Sequence, residues 1–181
     1  GQADLGLVSY PEESQSLATI PWRTEPIVLV CHPQHSLARR ESATLDSLGD
    51  EAFVAFQDGL RIREEIDRAL AQHKVSVRIT LEFDNIETIK RAIEIGAGIS
   101  LLPEPTIGRE IESGSLVEVS LEDANLFRPL GIIHRRDRKL SDTAQKFVQM
   151  LQTKPIPNAE LLTPMTNGHA SAEELQPHTV S

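Results

Sequence analysis

The side chains best suited to chemistry in this chain are a single cysteine and a pair of nearby histidines. His32 and His35 are separated by Pro33 and Gln34, and a zinc site would need further Cys, His or carboxylate ligands that no neighbouring segment supplies. We interpret this segment as a turn and expect no bound metal. Cys31 has no second cysteine with which to form a disulfide, and its apolar neighbours predict a buried thiol with a raised pKa.

The motifs of common enzyme classes do not occur in the sequence. There is no G-x-S-x-G nucleophile turn, no Walker phosphate loop and no His-Glu-x-x-His zinc motif. The Gly96-Ala97-Gly98 segment could hold a phosphate, but it follows a helix pattern and precedes a strand pattern, the reverse of the order in dinucleotide-binding folds. We expect it to form a helix end and a tight turn, so the sequence predicts neither a catalytic residue nor a cofactor.

Two polar corners between a strand and a helix are candidates for ligand binding. The segment Gln57–Gly59 leads from one predicted strand into a helix that begins at Arg61, and Asp84–Asn85 leads from another strand into a helix that begins at Ile86. In open α/β sheets, such strand ends open onto the crevice where small ligands bind, and free N–H groups at helix starts favour an anion. Ordinary helix capping explains Asp84 equally well, so both interpretations remain open.

The elements that position these corners follow from the spacing of apolar residues, which predicts strands alternating with helices in an α/β chain. Predicted strands lie near residues 5–9, 17–20, 27–31, 53–56, 75–83, 98–102, 116–121 and 129–134. Predicted helices begin at Arg61, at Ile86 behind a capping box of Asp84 and Glu87, at Pro105 and behind Ser141, with a short helical turn over 44–49.

Charge and hydropathy exclude several function classes. The formal net charge is −9, which argues against a continuous surface for a phosphate backbone, and the only basic cluster, residues 135–139, is interpreted as exposed surface. Aromatic residues make up 4% of the chain, too few for a single-strand-binding surface, and no apolar run is long enough to span a bilayer. Residues 153–181 lack apolar periodicity, and we expect a disordered tail there.

Several segments, taken in order, resemble the effector-binding domain of LysR-type transcriptional regulators. They are Gly1-x-x-Asp4-Leu5-Gly6-Leu7, Ile27-Val28-Leu29-Val30 leading to His35-Ser36-Leu37-Ala38, Asp84-Asn85-Ile86-Glu87-Thr88-Ile89-Lys90, Gly96-Ala97-Gly98-Ile99-Ser100-Leu101-Leu102-Pro103, the strand ending Arg135-Arg136, and the helix from Leu140-Ser141 to Leu151. The match extends over residues 1–152, and the combination and order of the segments are more specific than any one of them.

The resemblance implies a two-lobed α/β fold like that of type 2 periplasmic binding proteins. Lobe I would contain residues 1–31 and 133–152, and lobe II residues 32–132, joined by two crossover strands. The family pattern also has opening strands and helices of lobe I and a winged helix-turn-helix before the position of Gly1, so we expect a fragment with an incomplete first lobe. The residues carried over to an effector site are Ser9, Gln57, Gly59, Arg61, Asn85 and Ile86.

The function implied is that of a cytoplasmic, ligand-sensing regulatory domain that is not an enzyme. A small metabolite, expected to be anionic because Arg61 could pair with a carboxylate or phosphate, would bind between the lobes. DNA would be contacted only through the helix-turn-helix, and the full-length protein would form a homodimer or tetramer without a membrane partner. The alternatives are a solute-binding protein of a transporter and an enzyme of the same fold, such as a lyase, which would need a catalytic group in the cleft.

Overall fold

The computed structural model describes residues 3–12 and 14–153, which form eight strands and four α-helices. The strands are β1 (Gly6–Ser9), β2 (Leu17–Cys31), β3 (Ser42–Ala43), β4 (Ala52–Phe56), β5 (Arg78–Phe83), β6 (Ser100–Pro103), β7 (Val117–Leu121) and β8 (Phe127–Arg135). The helices are α1 (Arg61–Gln72), α2 (Ile86–Glu94), α3 (Gly108–Ser113) and α4 (Asp142–Thr153), with short 3-10 helices at Ser36–Arg39, Leu45–Leu48 and Glu104–Thr106.

A three-stranded antiparallel sheet in the order β1-β8-β2 forms what we call the smaller part, together with α4. Gly6 pairs with Ile133, and residues 17–26 of β2 pair with β8 as far as Pro26 and Phe127. The partner of β2 then changes, because Ile27 pairs with Pro103 of β6. This long strand therefore runs out of the smaller part and into the rest of the molecule.

The larger part, residues 27–126, is built on a mixed sheet in the order β5-β4-β6-β2-β7-β3. Strands β4 and β5 are parallel, as are β3 and β7, whereas β2 is antiparallel to β6 and β7. A parallel bridge between Phe53 and Ile99 joins β4 to β6, with hydrogen bonds from the Val54 N–H to the Ile99 carbonyl (2.9 Å) and from the Ile99 N–H to the Ala52 carbonyl (2.8 Å).

One edge of the larger sheet faces the smaller part, and this follows from strand direction alone. Because β4, β5 and β6 run parallel, their carboxyl ends at Phe56, Phe83 and Pro103 share an edge. Strand β2 runs the opposite way, and its residue Ile27 lies opposite Pro103, so β2 enters the larger sheet at that same edge. The strand-to-helix corners therefore lie where the two parts meet.

The apolar core lies almost wholly in the larger part. Its side chains come from β2, β4, β6 and β7 and from the inner faces of α1 and α2, including Leu29, Val54, Ile66, Ile93 and Leu101. Gly98 (φ 157°) permits β6 to approach β4, because a Cβ atom there would lie 2.4 Å from the Ala52 carbonyl oxygen. The larger sheet is thus a closely packed platform.

Most sequence-predicted elements are confirmed, including the buried thiol. Cys31 is fully buried, and burial raises its pKa to about 11. Gly96 follows α2 with a positive φ of 76°, as a helix end requires, and the Ser141 hydroxyl accepts from the Ala144 N–H at the start of α4 (3.3 Å). The predicted buried thiol, the predicted end of α2 and the predicted cap of α4 are therefore confirmed.

Four local predictions are wrong. The cap of α2 is Asn85 and not Asp84, because the Asn85 side chain is the one placed to accept from the first turn. Strand β2 is continuous through two prolines, since its partners change along its length, whereas two separate strands were predicted. Strand β5 begins at Arg78 rather than at residue 75, and Pro105 lies in a 3-10 helix before α3.

The disordered tail predicted for residues 153–181 lies outside the described residues, apart from Thr153, which ends α4. None of the helices within residues 3–12 and 14–153 is long and apolar enough to cross a bilayer.

Candidate functional site

The two corners predicted to bind a ligand are adjacent in the structure. The Gln57 N–H, directly after β4, donates to the Phe83 carbonyl at the end of β5 over 2.8 Å. Phe56 and Phe83 are themselves paired across the two strands. The corner at Gln57 and the corner at Asn85 therefore form one continuous stretch of the edge that faces the smaller part.

The Gln57 corner leaves the start of α1 without a side-chain cap. Gly59 has a φ of 81°, a conformation that glycine adopts without steric cost, and its N–H donates to the Asp58 carboxylate (2.9 Å). Leu60 occupies the N-cap position and offers no side-chain acceptor. The first N–H groups of this 12-residue helix are therefore available to an anion.

The Asn85 corner is, by contrast, already capped. The Asn85 Oδ1 accepts from the Thr88 N–H (2.9 Å) and the Thr88 hydroxyl (2.8 Å), while its Nδ2 donates to the Asp84 carboxylate (3.0 Å). Ile86 is half-buried and packs against the core of the larger part. The Asn85 side chain therefore has a clear structural role as the cap of α2. A ligand could still contact its backbone and the exposed part of its side chain.

Arg61, the first residue of α1, carries the exposed positive charge of the edge. Its Nη1 donates to Glu64 one turn later (2.8 Å), and its Nε lies 3.7 Å from Oε1 of Glu12, which follows β1 in the smaller part. The Arg61 side chain is 51% exposed, so these ion pairs are weak. Arg61 thus spans the two parts and can exchange one carboxylate partner for another.

Ser9 ends β1 and is exposed, and the residue after it reaches the larger part. Tyr10 packs against the core of the larger part in a left-handed conformation (φ 51°), and its N–H donates to the Pro129 carbonyl (2.8 Å). Burial first, and then Glu65, raise the pKa of Tyr10 to about 12 against the opposing effect of Arg128 and Arg61. The Tyr10 hydroxyl is therefore neutral near pH 7 and lies among charged groups of both parts.

A buried carboxylate at the crossover of β2 is a feature that sequence reasoning missed. Glu25 is 2% exposed; its Oε2 accepts from both Nε (2.9 Å) and Nη2 of Arg128 on β8. The Arg23 Nη2 lies 2.6 Å from Oε1 without hydrogen-bond geometry, which makes that contact an ion pair only. The signal in the sequence was two charges, Arg23 and Glu25, immediately before the apolar run of β2.

A groove of about 800 Å³ lies elsewhere, between α2 and α3. Several of its charged groups are paired with one another, as in the ion pair between Arg91 and Glu94. The Lys90 ammonium donates to the Thr106 carbonyl (2.9 Å) and forms ion pairs with Glu87 (2.8 Å) and Glu110 (3.0 Å). We place the candidate site at the adjoining corners rather than in this groove, because the start of α1 has no side-chain cap there.

Comparison with known proteins gives one family. A sequence model of the LysR substrate binding domain matches residues 1–155. The chain is 30% identical over 156 residues to an uncharacterized HTH-type transcriptional regulator of Escherichia coli strain K12, YeiE, covering 86% of this chain and 53% of YeiE. It is 31% identical over 159 residues to a probable RuBisCO transcriptional regulator of Cyanophora paradoxa, covering 84% and 49%. The chain spans about half the length of these relatives.

Solved structures share the fold. The regulatory domain of CcmR from Synechocystis PCC6803, in complex with 2-PG, superposes with a TM-score of 0.74 at 30% identity and covers 83% of this chain and 73% of that one. The effector binding domain of QuiR, in complex with shikimate, has a TM-score of 0.71 at 19% identity, covering 82% and 70%, and shows the fold alone. The architecture is the type 2 periplasmic-binding-protein-like fold, and the chain belongs to the LysR substrate-binding domain family.

Proposed function

We propose that this chain is the ligand-sensing part of a LysR-type transcriptional regulator and binds a small anionic metabolite between its two parts. The observation that carries the proposal is the hydrogen bond from the Gln57 N–H to the Phe83 carbonyl, because it joins two strand-to-helix corners at the edge facing the smaller part. In open α/β sheets, ligands bind at such edges. The two similar structures named above hold small-molecule ligands.

The proposed contacts are those predicted from the sequence. Uncapped N–H groups near Gly59 and the guanidinium of Arg61 would hold the anionic group, and Gln57 and Ser9 would supply polar contacts to the rest of the ligand. The remaining two proposed residues, Asn85 and Ile86, would form the wall on the side of α2. An anion would replace Glu12 as the partner of Arg61, at small cost because that pair is exposed and 3.7 Å long.

The signal is proposed to arise from a change in how the two lobes meet. Lobe I would comprise residues 1–31 and 133–152 and lobe II residues 32–132, with β2 and β8 as the crossover strands. A ligand shifts this equilibrium only through different affinities for the two arrangements. The complete regulator would act in the cytoplasm as a homodimer or tetramer and reach DNA through a winged helix-turn-helix, with no catalytic activity and no cofactor of its own.

The first experiment is a thermal-shift titration of the chain with 2-PG, shikimate, succinate and inorganic phosphate at millimolar concentrations. A ligand that binds only the folded state raises the melting temperature with its concentration. We expect at least one of these anions to do so, and Arg61→Ala to abolish the shift. Arg68→Ala is the matched control, because Arg68 is an exposed arginine of the same helix paired with Glu65.

The proposal would be contradicted by an unchanged melting temperature with every anion, or by equal shifts in the wild type and Arg61→Ala. A solute-binding protein of a transporter with the same fold would also bind a solute, but the two relatives named above are described as transcriptional regulators. Turnover of any panel member would instead favour the enzyme alternative.

A further inference from the structure

A buried arginine lies directly behind the two corners of the proposed site. The side chain of Arg63, on the first turn of α1, is 11% exposed. Its Nη1 donates to the Phe56 carbonyl (2.5 Å) and to Glu82 Oε1 (2.6 Å), and its Nε donates to Asp67 Oδ2 (2.7 Å). One guanidinium thus has hydrogen-bond partners on three different elements.

The positions of these partners define what the guanidinium joins. Phe56 is the last residue of β4 and precedes Gln57, so its carbonyl belongs to the first corner. Glu82 is next to the last residue of β5, two positions before the Asp84–Asn85 corner. The third partner is on α1 itself, which fixes the side chain in place. Arg63 therefore connects the ends of both strands to the helix that begins at the first corner.

The charge and shape of arginine suit this position. Burial lowers the pKa of Arg63, but the hydrogen bonds to Glu82 and Asp67 and the negative charges of both carboxylates together raise it overall, so the group stays cationic. Replacing a buried ion pair by a well-packed apolar side chain is often neutral or favourable for stability. The planar guanidinium has donors in fixed directions. It can therefore fix the position of a main-chain carbonyl, here that of Phe56 next to the site.

We infer that Arg63 is a positioning residue that ties the Gln57 and Asn85 corners into one unit and thereby sets the affinity of the edge for its ligand. Arg63 does not itself touch the ligand; it holds the backbone from which Gln57, Gly59 and Asn85 project. That Arg63 sets the ligand affinity rests on the proposed function. That Arg63 joins the two corners does not depend on it.

The test uses Arg63→Lys, which keeps the positive charge but replaces the fork by a single ammonium. Arg68→Lys is the matched control, since Arg68 lies on the same helix, is 54% exposed and pairs with Glu65 alone among the residues that the structure describes. Glu82→Gln is a second variant that keeps an acceptor at an exposed position, so the test survives a folding defect in Arg63→Lys. The two readouts are amide hydrogen exchange and the affinity for 2-PG measured by titration calorimetry.

We expect the Gln57 amide to exchange about tenfold faster in Arg63→Lys, since hydrogen bonds to charged groups are among the stronger ones. The Leu29 amide, deep in β2, should keep its wild-type rate, which separates local loosening from global unfolding. The affinity for 2-PG should fall about tenfold in Arg63→Lys and by a smaller factor in Glu82→Gln. Both quantities should be unchanged in Arg68→Lys.

Unchanged exchange at Gln57 in Arg63→Lys would overturn the inference, as would equal effects in Arg68→Lys. Faster exchange at Gln57 with full 2-PG affinity would overturn the positioning role. If wild-type chain bound none of the anions while Arg63→Lys still loosened the Gln57 corner, the proposed function would fail and the tie between the corners would stand.

Discussion

The larger and smaller parts of the molecule differ sharply in how they are held together. Among the described residues, every buried apolar side chain belongs to the core of the larger part except Ile132, Ala144 and Val148. The smaller part instead relies on strand pairing between β1, β8 and β2, and it exposes Phe147 and Met150 on α4. Buried apolar area is the main source of stability, so the larger part is expected to be the stable unit and the smaller part the adaptable one.

The largest expected effect is a core truncation in the larger part. Leu101 in β6 is fully buried, and Leu101→Ala should lower the free energy of unfolding by about 3 kcal/mol, within the usual range for buried leucines. Val148→Ala in α4 removes less apolar volume from a thin core and should cost about 1 kcal/mol. Urea unfolding measures both, and Met150→Ala is an exposed control expected within about 0.5 kcal/mol of wild type.

Equal destabilisation by Leu101→Ala and Val148→Ala would break the contrast between the parts. An equal loss of unfolding free energy in Met150→Ala and Val148→Ala would also contradict it, because a half-exposed side chain would then contribute as much to packing as a buried one.

The second effect concerns the junction between the parts. Glu25→Gln leaves the Arg128 guanidinium without a charged partner in a largely buried position, and it should cost about 2 kcal/mol. Trp22, the only tryptophan, reports on this change, because the Arg23 guanidinium lies 4.4 Å from its ring centre and its Nε1 donates to the Leu151 carbonyl (3.0 Å). We expect altered tryptophan emission along with the loss of stability.

The matched control is Glu41→Gln, an exposed glutamate outside the junction, which should change neither quantity. Wild-type emission and stability in Glu25→Gln would mean that the buried carboxylate does not couple β2 to β8 and α4.

The third effect is a dependence of stability on pH that arises from the buried Cys31 thiol in the core of the larger part. Burial raises the pKa of Cys31 from 9.0 to about 11, so the folded state holds the proton more tightly than the unfolded state. The resulting stabilisation is complete below pH 9 and is lost as the pH rises to about 11, with a slope of at most about 1.4 kcal/mol per pH unit. Urea unfolding of wild type and Cys31→Ala across this window isolates the thiol, and identical pH profiles would refute the assignment.

The smallest effect lies at the cleft. The exposed pair between Glu12 and Arg61 should contribute under about 1 kcal/mol, so Glu12→Gln should leave the melting temperature nearly unchanged. If an anion competes with Glu12 for Arg61, the same substitution should tighten 2-PG binding by up to about fivefold. Weaker binding in titration calorimetry would contradict the proposed exchange of partners.

Sequence patterns predicted the local elements and both corners, because apolar spacing and cap residues act within a few residues of each other. The start of α1 at Arg61 and the buried thiol of Cys31 were found in this way. The pairing of Glu25 with Arg128 was not, since it joins residues far apart in the chain. The role of Tyr10 was missed for the same reason, as its left-handed backbone and contact with the larger part depend on the tertiary fold.

Whether the adjoining corners bind the ligand is most directly tested by amide chemical-shift mapping of the chain during a titration with 2-PG. We predict that the shift changes cluster at residues 57–61, 84–88 and Tyr10 and saturate with a single affinity. Changes centred instead on the groove between α2 and α3, around Arg91 and Arg109, would contradict the assignment of the site, and so would a spectrum that does not respond to any of the tested anions.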